Sequence, residues 1–512
     1  MNKKYVIAHD VGTSGVKAVL IDVGGNVIAS AEENYGFTYP NPGWVEQDPT
    51  DYWRAIVETT KNVVNSTKIG AAEIIGIVFT TQAMGIIPMD TSDNILYNNI
   101  SWVDGRAEKQ AEKLMNRFLG RKAFKAFLGI EITGKDVIPK LMWLKENKPE
   151  LYKQTEYFLD VNGYLKYKAT GKKVAEWSGA CSYGFNLKKK DWERIIFKIA
   201  GIATSKLPPL VRSVDEVGGL TEVAAKEMGL EPGLPIYGGC DDTQSAAIGS
   251  GAIDEGEGHI YLGTAAWVGV MTKRDPKFKN GAVCLQSADP MKNLVVGVTE
   301  SAGANLEWLI ERFYTREKEQ IDEGSIYELL DKEANEVAPG SDHLIFTPWL
   351  LGERCPVGTT TTRGTIYNLS LEHKRGHFVR ALSEGIAYNL RWIIENYEKD
   401  FRFKMPSLTV TGGGSQNDHW MQIFADVTKR KIVTTNQPKM AGAIGGAMCA
   451  FTGAGIFNDF SSVKEIVKRN KEFLPNPENF EIYDLMFHDY KKIYSSLKTT
   501  YEDSNSKRFK VN

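Results

Sequence analysis

A short strand, a glycine turn and a second strand open the chain, and the same order begins again near its middle. Residues 5–8 and 16–21 are apolar runs, and Gly12 and Gly15 lie between them. Residues 259–271 repeat strand, Gly-Thr turn and strand over a short stretch. Close-set strands joined by glycine turns are typical of antiparallel pairing at the start of a domain. Two such starts in 512 residues predict a duplicated fold, since one hydrophobic core rarely organises a chain of that length.

The segments after the first turn change from strand to helix and back to strand. Residues 50–64 place apolar side chains at helical spacing, and residues 74–79 are an uninterrupted apolar run typical of a buried strand. Residues 249–258 are rich in glycine and are the best candidate for a domain boundary. We therefore expect an α/β protein with two domains, residues 1–250 and residues 251–512.

Charge and cysteine content exclude several classes of protein. The 62 Lys and Arg residues nearly balance the 64 Asp and Glu residues, giving a formal net charge of -2, which argues against a nucleic-acid binder. The five cysteines are scattered without a C-x-x-C pair, so neither a disulfide framework nor a zinc knuckle is indicated. No signal peptide fits the N-terminus, and no apolar run approaches the ~18 residues of a membrane span. We expect a cytoplasmic protein without a membrane partner, ending in an exposed polar tail from about residue 496.

The first glycine turn, residues 10–17, contains two glycines, two hydroxyls, a lysine and an aspartate. Backbone N–H groups made accessible by glycine, hydroxyl donors and an ammonium group are the usual surroundings of a bound phosphate. An aspartate at the strand end can order a Mg²⁺ ion and its waters. A plain hairpin turn explains the same residues equally well, and the Walker A pattern is absent. The candidate ligands are Asp10, Gly12, Thr13, Ser14 and Lys17.

Two further glycine-rich segments precede predicted helices. Asp241 and Asp242 follow a glycine pair and lead into a run of small residues that would let a helix pack closely. A carboxylate at the positive end of a helix stays ionised and can accept a hydroxyl proton during phosphoryl transfer, although most such aspartates only cap the helix. Residues 412–414 lie between a strand and a helical pattern, where they either admit a nucleotide or allow a close helix–strand crossing.

Taken in order, these segments resemble the FGGY family of carbohydrate kinases over about residues 5–455. Other segments that are similar to family motifs are residues 43–48, 139–147, 352–356, 363–364, 377–385 and 412–417. The resemblance implies two actin-like (ribonuclease-H-like) ATPase domains with a catalytic cleft between them. It also implies ATP and Mg²⁺ as cofactors, and transfer of the γ-phosphoryl group to a hydroxyl of a small sugar or polyol.

The resemblance assigns roles to individual residues. Its register places the catalytic base on Asp242, with Asp241 as the fallback, and Asp10 beside the metal. The positions that match nucleotide or phosphate contacts are Gly12, Thr13, Ser14, Lys17, Gly263, Thr264, Gly303, Glu307, Gly413, Gly414 and Asn417. The acceptor-side candidates are Gln82, Met84, Trp102, Asp104, Arg106 and Trp267.

The acceptor segment departs from the patterns of known subgroups. After Thr80-Thr81-Gln82, glycerol kinases carry Arg-Glu and typical xylulokinases carry Met-His-Gly, whereas this chain has Ala83-Met84-Gly85. The ionic clamp on a small triol and the xylulokinase histidine are both absent. The layout still resembles xylulokinases most, so the first acceptor to test is D-xylulose, with pentitols, tetritols, ribulose and gluconate as alternatives. A homodimer is one assembly open to such a protein.

Two other classes compete with a sugar kinase. An actin-like ATPase without a sugar substrate would share the phosphate loops but would need a large partner-binding domain, for which little chain remains after residue 459. A nicotinamide dehydrogenase would need a dinucleotide fingerprint, which residues 441–447 resemble only loosely.

Overall fold

Two mixed β-sheets flanked by helices form the protein in this computed structural model, which describes residues 4–118, 120, 132–276, 278, 281–359 and 361–505. The strands are β1 (Tyr5–Val11), β2 (Gly15–Asp22), β3 (Val27–Asn34), β4 (Glu46–Gln47), β5 (Ile74–Thr81), β6 (Ile87–Met89), β7 (Asn99–Ile100), β8 (Tyr157–Leu159), β9 (Ala175–Glu176), β10 (Phe185–Asn186), β11 (Asp191–Trp192), β12 (Leu210–Val211), β13 (Glu216–Gly219), β14 (Pro235–Asp241), β15 (Gly258–Leu262), β16 (Ala266–Thr272), β17 (Val283–Gln286), β18 (Asn293–Val298), β19 (Ile345–Thr347), β20 (Thr365–Tyr367), β21 (Ser407–Thr411), β22 (Lys431–Thr435) and β23 (Arg469–Phe473).

Helices connect and cover these strands. The α-helices are Pro49–Asn65, Glu108–Arg117, Val137–Asn147, Pro149–Gln154, Val161–Thr170, Trp177–Tyr183, Arg194–Ala200, Glu222–Met228, Asp242–Gly249, Gly303–Phe313, Thr315–Gln320, Glu323–Asn335, Arg375–Phe401, Asp418–Thr428, Ala441–Gly453, Val463–Ile466 and Phe480–Asn505. Short 3-10 turns cover Ala71–Glu73, Thr204–Lys206, Ser341–His343, Gly413–Gln416, Pro438–Met440, Phe460–Ser462 and Pro477–Asn479.

The first sheet has the strand order β13-β14-β5-β1-β2-β3. Strands β1, β2 and β3 form the antiparallel meander that the first glycine turn predicts. Strands β5 and β14 both run parallel to β1. Because the carboxyl ends of parallel strands meet at one edge of a sheet, residues that follow β1, β5 and β14 are brought together there.

The second sheet repeats this topology in the order β17-β18-β16-β15-β21-β22-β23. Strand β15 pairs antiparallel with β16 and parallel with β21, as β1 pairs with β2 and β5. The next parallel strand is β22, in the position that β14 has in the first sheet. The duplication and the α/β class predicted from the two glycine turns are confirmed, and the chain has two actin-like ATPase domains.

The helices Asp242–Gly249 and Ala441–Gly453 pack against each other between the two sheets. A Cβ atom on Gly249 would lie 1.8 Å from the carbonyl oxygen of Ala441, and one on Gly445 would lie 1.9 Å from that of Ser245. Only glycine, whose side chain is a hydrogen atom, fits at these two positions. The close packing expected for the small-residue helix after Asp242 is therefore confirmed, and the glycines near residue 445 serve a helix contact.

The expectation of a frayed or exposed tail from about residue 496 is wrong only about fraying: residues 496–505 are helical although most of them are exposed, and residues 506–512 lie outside the described residues. The helix Phe480–Asn505 continues through this segment, and the hydroxyl of Tyr501 forms a hydrogen bond with that of Thr365. The amide of Asn505 donates to the carbonyl oxygen of Thr361 at 2.9 Å. The helix is held by aromatic side chains at helical spacing, which its polar composition conceals.

The cysteines and the helices agree with two simpler expectations. All five cysteines are free thiols. Among the ranges described above, no helix has both the length and the apolar character to cross a membrane.

Candidate active site

The loop between β1 and β2 is held in a fixed shape by its own backbone and by one tyrosine. The N–H of Gly12 donates to the carbonyl oxygen of Gly15 at 2.9 Å. The hydroxyl of Tyr35 donates to the carbonyl oxygen of Gly12, and the N–H of Tyr35 donates to that of Ser14 at 3.0 Å. Lys17 forms an ion pair with Glu32 at 2.8 Å. The loop is therefore preorganised before any phosphate arrives, although Lys17 already has a partner.

Asp10 and Asp242 lie close together at the carboxyl edge of the first sheet. Asp10 is near the end of β1, and Asp242 begins the helix that follows β14. Burial raises the pKa of Asp10 to about 6, with a further contribution from the negative charge of Asp242. Burial also raises the pKa of Asp242, against hydrogen bonds from the N–H and hydroxyl of Thr243. Two desolvated carboxyl groups this close favour the binding of a cation.

Asp241 occupies a different environment from its neighbour. It stands at the N-cap position of the helix without a capping hydrogen bond from its side chain. Burial and the charges of Asp160, Asp242 and Glu176 raise its pKa, and Lys166 opposes that shift. A Cβ atom on Gly179 would touch oxygens of both Asp160 and Asp241. Asp241 thus belongs to a buried carboxyl cluster, whereas the charge of Asp242 also acts on the pKa of Asp10.

The donor set at Asp10 fits a magnesium ion that is held largely by substrate. Within the described residues, no three His, Cys, Asp or Glu side chains converge in a way that could hold a metal. Mg²⁺ commonly binds through one or two carboxylates, with water and substrate phosphates completing its shell. Asp10 supplies oxygen ligands of the required kind beside the phosphate loop. A Cβ atom on Gly442 would lie 2.7 Å from Oδ2 of Asp10, so the second domain reaches this carboxylate too.

A buried network of amides lies beside the first loop. Nε2 of Gln82 donates to Oε1 of Gln47 at 3.0 Å, and Nε2 of Gln47 donates to the carbonyl oxygen of Thr13 at 2.9 Å. Tyr52 donates to Oε1 of Gln47 at 2.7 Å and accepts from Asn99 at 2.7 Å. Oε1 of Gln82 is buried and has no hydrogen-bond partner in the part of the chain that the structure describes. Gln82 therefore keeps one acceptor free beside the first loop.

Met84 and Trp102 lie on two segments that are linked by hydrogen bonds from the side chain of Lys140. Met84 has a φ of 63°, in the left-handed region. Nζ of Lys140 donates to the carbonyl oxygen of Ser101 at 2.7 Å and to that of Met84 at 3.5 Å. Burial lowers the pKa of Lys140 to about 7. Nε1 of Trp102 donates to Oγ1 of Thr13 at 3.1 Å, so the acceptor-side segments are tied to the phosphate loop.

Asp104 and Arg106 form a buried ion cluster with Glu46. Arg106 lies 2.7 Å from Asp104 and 2.9 Å from Glu46, and neither Arg106 nor Asp104 has exposed side-chain surface. The guanidinium of Arg106 is stacked 4.0 Å from the ring of Trp44 and 5.0 Å from that of Trp143. In this structure, both residues are engaged with each other, with Glu46 and with the two tryptophan rings. Their direct contact with an acceptor stays a prediction.

The second glycine turn packs against the start of a helix in the second domain. The N–H of Gly303 donates to the carbonyl oxygen of Gly263 at 2.9 Å, and a Cβ atom on Gly303 would lie 2.6 Å from that oxygen. The carbonyl oxygen of Thr264 accepts from the N–H groups of Ala302 and Ala304. Trp267, which follows the turn, stacks on Tyr261 with ring centroids 4.0 Å apart. The turn is thus fixed on both sides.

The candidate nucleotide positions differ in exposure and in whether their side chains already have hydrogen-bond partners. Gly413 is exposed, and a Cβ atom there would meet only the side chain of Lys439 at 3.9 Å. Asn417 caps the helix Asp418–Thr428 through Oδ1 and donates to both carboxylate oxygens of Asp331 at 2.8 Å. Glu307 accepts from the hydroxyl of Tyr327. A small pocket lies among these positions, lined by Leu306, Tyr327, Leu330, Asp331, Val379, Ser383, Asn417, His419 and Trp420.

Three residues of the site have no role in the sequence interpretation: Gln47, Lys140 and Tyr261. Lys140 stands alone in a helical segment that is otherwise apolar and is buried from Val137 to Leu144, and such an isolated charge is a usable signal. The position of Gln47 depends on a contact with Thr13, 34 residues away in sequence, and that of Tyr261 on its stacking against Trp267. Trp102 contacts Thr13 directly, and Gln82 is linked to Thr13 through Gln47; their binding roles stay predictions.

The chain matches the model for the FGGY family of carbohydrate kinases in both halves. Residues 5–249 match the N-terminal domain of the family, and residues 258–454 match its C-terminal domain. With the repeated sheet and the two glycine loops, this match shows that the chain belongs to the FGGY family of carbohydrate kinases. It is a sugar kinase, and FGGY sugar kinases use ATP as the phosphate donor.

Relatives with assigned acceptors cover nearly the whole chain. A xylulose kinase of Bacillus subtilis (strain 168) is 30% identical over 503 residues, covering 97% of each chain. A gluconokinase of the same organism is 26% identical over 483 residues, covering 94% of this chain and 93% of the relative. A ligand-bound xylulose kinase and a gluconate kinase from Lactobacillus acidophilus each give a TM-score of 0.89 at 26% identity, covering 98% of this chain and 99% of theirs.

Proposed function

We propose that this kinase phosphorylates a hydroxyl of a ketopentose, with D-xylulose as the first acceptor to test and Asp242 as the general base. The acceptor oxygen forms a bond to the γ-phosphorus of ATP as the bond from that phosphorus to the β–γ bridging oxygen breaks. ADP leaves with that electron pair. The proton of the acceptor hydroxyl passes to the carboxylate of Asp242.

The observation that most supports this assignment is the proximity of Asp10 and Asp242 beside the first glycine loop. A base must be close to both the acceptor hydroxyl and the phosphoryl group that it attacks. Asp242 acts on the pKa of Asp10, which is adjacent to the loop, and it also acts on that of Tyr261, next to the second loop. Asp241 instead lies among Asp160, Glu176 and Lys166, whose charges act on its pKa, so it is the weaker candidate.

Asp10 would hold Mg²⁺, and the backbones around Gly12 and Gly263 would bind the phosphates. When bound, Mg²⁺ neutralises phosphate charge and orders its waters. The N–H groups and hydroxyls of Thr13 and Thr264 would orient the phosphates from the two domains. The two domains, with a boundary at residues 250–251, would close around the substrates and so keep water from the phosphoryl group.

The candidate acceptor wall, which comprises Gln82, Met84 and Trp102, favours a neutral sugar over an aldonate. Arg106 and Lys140, two cations beside the segments that carry these residues, are buried with carboxylate or carbonyl partners and so offer no free charge for an acceptor carboxylate. Gln82 and Trp102 provide polar contacts, and Met84 provides an apolar surface. The relatives named xylulose kinase agree with a ketopentose. Gluconate is the second candidate, because relatives of nearly equal similarity are named gluconokinase.

A coupled assay of ADP formation across an acceptor panel tests the proposal. The panel contains D-xylulose, ribulose, pentitols, tetritols, gluconate and glycerol at matched concentrations. We expect the highest kcat/KM with a ketopentose and low values with glycerol and gluconate. A kcat/KM for gluconate or glycerol above that for every ketopentose and pentitol would overturn the acceptor assignment. A cytoplasmic location and a homodimer remain predictions alongside it.

A further inference from the structure

Tyr261 is held rigidly near the end of β15, two residues before Gly263. It faces Trp267 directly across the antiparallel β15–β16 pair. The two rings stack with centroids 4.0 Å apart and planes 9° from parallel. Since a stacked cross-strand pair restricts both side chains, the phenol ring has one orientation relative to the Gly263–Thr264 turn.

The phenol hydroxyl of Tyr261 points into the region of the phosphate loop. A Cβ atom placed on Gly263 would lie 2.7 Å from Cε1 and 3.2 Å from the hydroxyl oxygen of Tyr261. The ring therefore lies against the backbone of the glycine turn, where a larger residue at 263 would displace it. Among the residues that the structure describes, no hydrogen-bond partner occupies this hydroxyl.

Two carboxylates of the first domain, Asp10 and Asp242, also act on this hydroxyl. Burial, together with the negative charges of Asp10 and Asp242, raises the pKa of Tyr261 to about 12. A phenol in this environment stays neutral at any working pH and remains a hydrogen-bond donor. The donor thus stands between the glycine turn of one domain and the proposed base of the other.

We propose that the hydroxyl of Tyr261 donates a hydrogen bond to the phosphoryl group while it is transferred, which makes Tyr261 a catalytic residue from the second domain. This inference rests on the proposed function. Negative charge on the equatorial oxygens of the transferring group needs donors, and the nearby side chains Asp10 and Asp242 supply none when ionised. A fixed neutral donor meets that need without pairing with either carboxylate as tightly as an ammonium group would.

The substitution Tyr261→Phe tests the proposal because it retains the stacked ring and removes only the hydroxyl. We expect kcat to fall by about 10²- to 10³-fold, the usual cost of losing one preorganised hydrogen-bond donor. The KM values for ATP and for the acceptor should stay within about threefold, because the hydrogen bond forms during transfer. A variant with kcat within twofold of the wild type, or with its loss confined to KM, would show that Tyr261 is only part of the wall.

Tyr397→Phe is the matched control. The hydroxyl of Tyr397 donates to the carbonyl oxygen of Val268 at 3.3 Å inside the core of the same domain. The control removes a buried phenol hydroxyl without touching the cleft, and its kcat should equal that of the wild type. A control that loses as much kcat as Tyr261→Phe would overturn the assignment, since the loss would then follow from any phenol removed from this domain.

A second readout separates this inference from the identity of the acceptor. Transfer of the phosphoryl group to water uses the same donor and needs no sugar, so Tyr261→Phe should slow acceptor-free ATP hydrolysis by a similar factor. A wild-type enzyme that phosphorylates nothing in the panel but hydrolyses ATP faster than Tyr261→Phe would refute the proposed acceptor and support the role of Tyr261. Equal hydrolysis rates would refute that role whatever the acceptor.

Discussion

Nε1 of Trp102 donates a hydrogen bond to Oγ1 of Thr13 at 3.1 Å, which joins a candidate acceptor residue directly to the glycine loop between β1 and β2. The carbonyl oxygen of the same threonine accepts from Gln47, which also binds Gln82. Thr13 is thus held through its side chain and its backbone by residues on the acceptor side. A change on the acceptor side should therefore reach the phosphate loop without passing through substrate.

The Trp102–Thr13 hydrogen bond can be measured with a double-mutant cycle. Trp102→Phe and Thr13→Val should each lower kcat/KM for the acceptor about fivefold, equivalent to ~1 kcal/mol for one lost hydrogen bond. The kcat/KM of the double variant should be no lower than that of the less active single variant, because the same hydrogen bond is lost in all three. Losses that add fully in the double variant would show that the two side chains act independently.

Met84→His should improve activity on D-xylulose. Met84 has a φ of 63°, and histidine is among the residues that tolerate this left-handed region. An imidazole adds a donor where the thioether of methionine accepts hydrogen bonds only weakly. We expect kcat/KM for D-xylulose to rise about fivefold, from one added hydrogen bond of ~1 kcal/mol. Met84→Leu is the control, and a histidine variant no better than the leucine variant would contradict this account of the pocket.

Lys140 should make the free energy of unfolding rise with pH above neutrality. Burial lowers the pKa of Lys140 to about 7 in the folded protein, whereas an unfolded lysine titrates near ~10.4. Between these values the unfolded chain binds more protons, so this residue makes the free energy of unfolding rise with pH. The gain is at most about 1.4 kcal/mol per pH unit, and below pH ~7 the full cost of the buried charge remains.

Urea unfolding of wild type and Lys140→Met at pH 7.5 and 9 measures this dependence. The difference in unfolding free energy should shift in favour of the wild type at the higher pH. Lys145→Met changes an exposed lysine on the same helix and should leave the pH dependence as it is. A pH-independent difference for Lys140→Met would mean that Lys140 keeps its proton throughout this range.

Gly445→Ala should separate the helices that join the two domains. The added Cβ would lie 1.9 Å from the carbonyl oxygen of Ser245, so the helix that begins at Asp242 must move. We expect the free energy of unfolding to fall by roughly 1–3 kcal/mol because of overpacking, together with a loss of kcat. Gly70→Ala, where the nearest atom is a flexible side-chain oxygen at 3.6 Å, is the control for the added methyl group. Wild-type stability in Gly445→Ala would contradict the close contact.

The sequence predicts the local elements better than the tertiary partners. Strand alternation and glycine turns identify β1, β2, β15 and β16, because these signals are local. The burial of Asp104 and Arg106 is not visible in the sequence, since their ion pair with Glu46 joins segments about 60 residues apart. The continuation of the last described helix to Asn505 is not visible in the sequence, because Tyr501 contacts a segment distant in sequence.

The most direct test of the central claim compares Asp242→Asn with Asp241→Asn. Thermal unfolding first establishes that both variants fold, and calorimetry then gives the Kd of ADP with Mg²⁺. With Asp242→Asn we expect kcat to fall by roughly 10²–10⁴, the usual range for losing a general base, and nucleotide affinity to stay within a few-fold of wild type. Asp241→Asn should retain most of its kcat. An active Asp242→Asn beside a folded but inactive Asp241→Asn would contradict the assignment and move the base to Asp241.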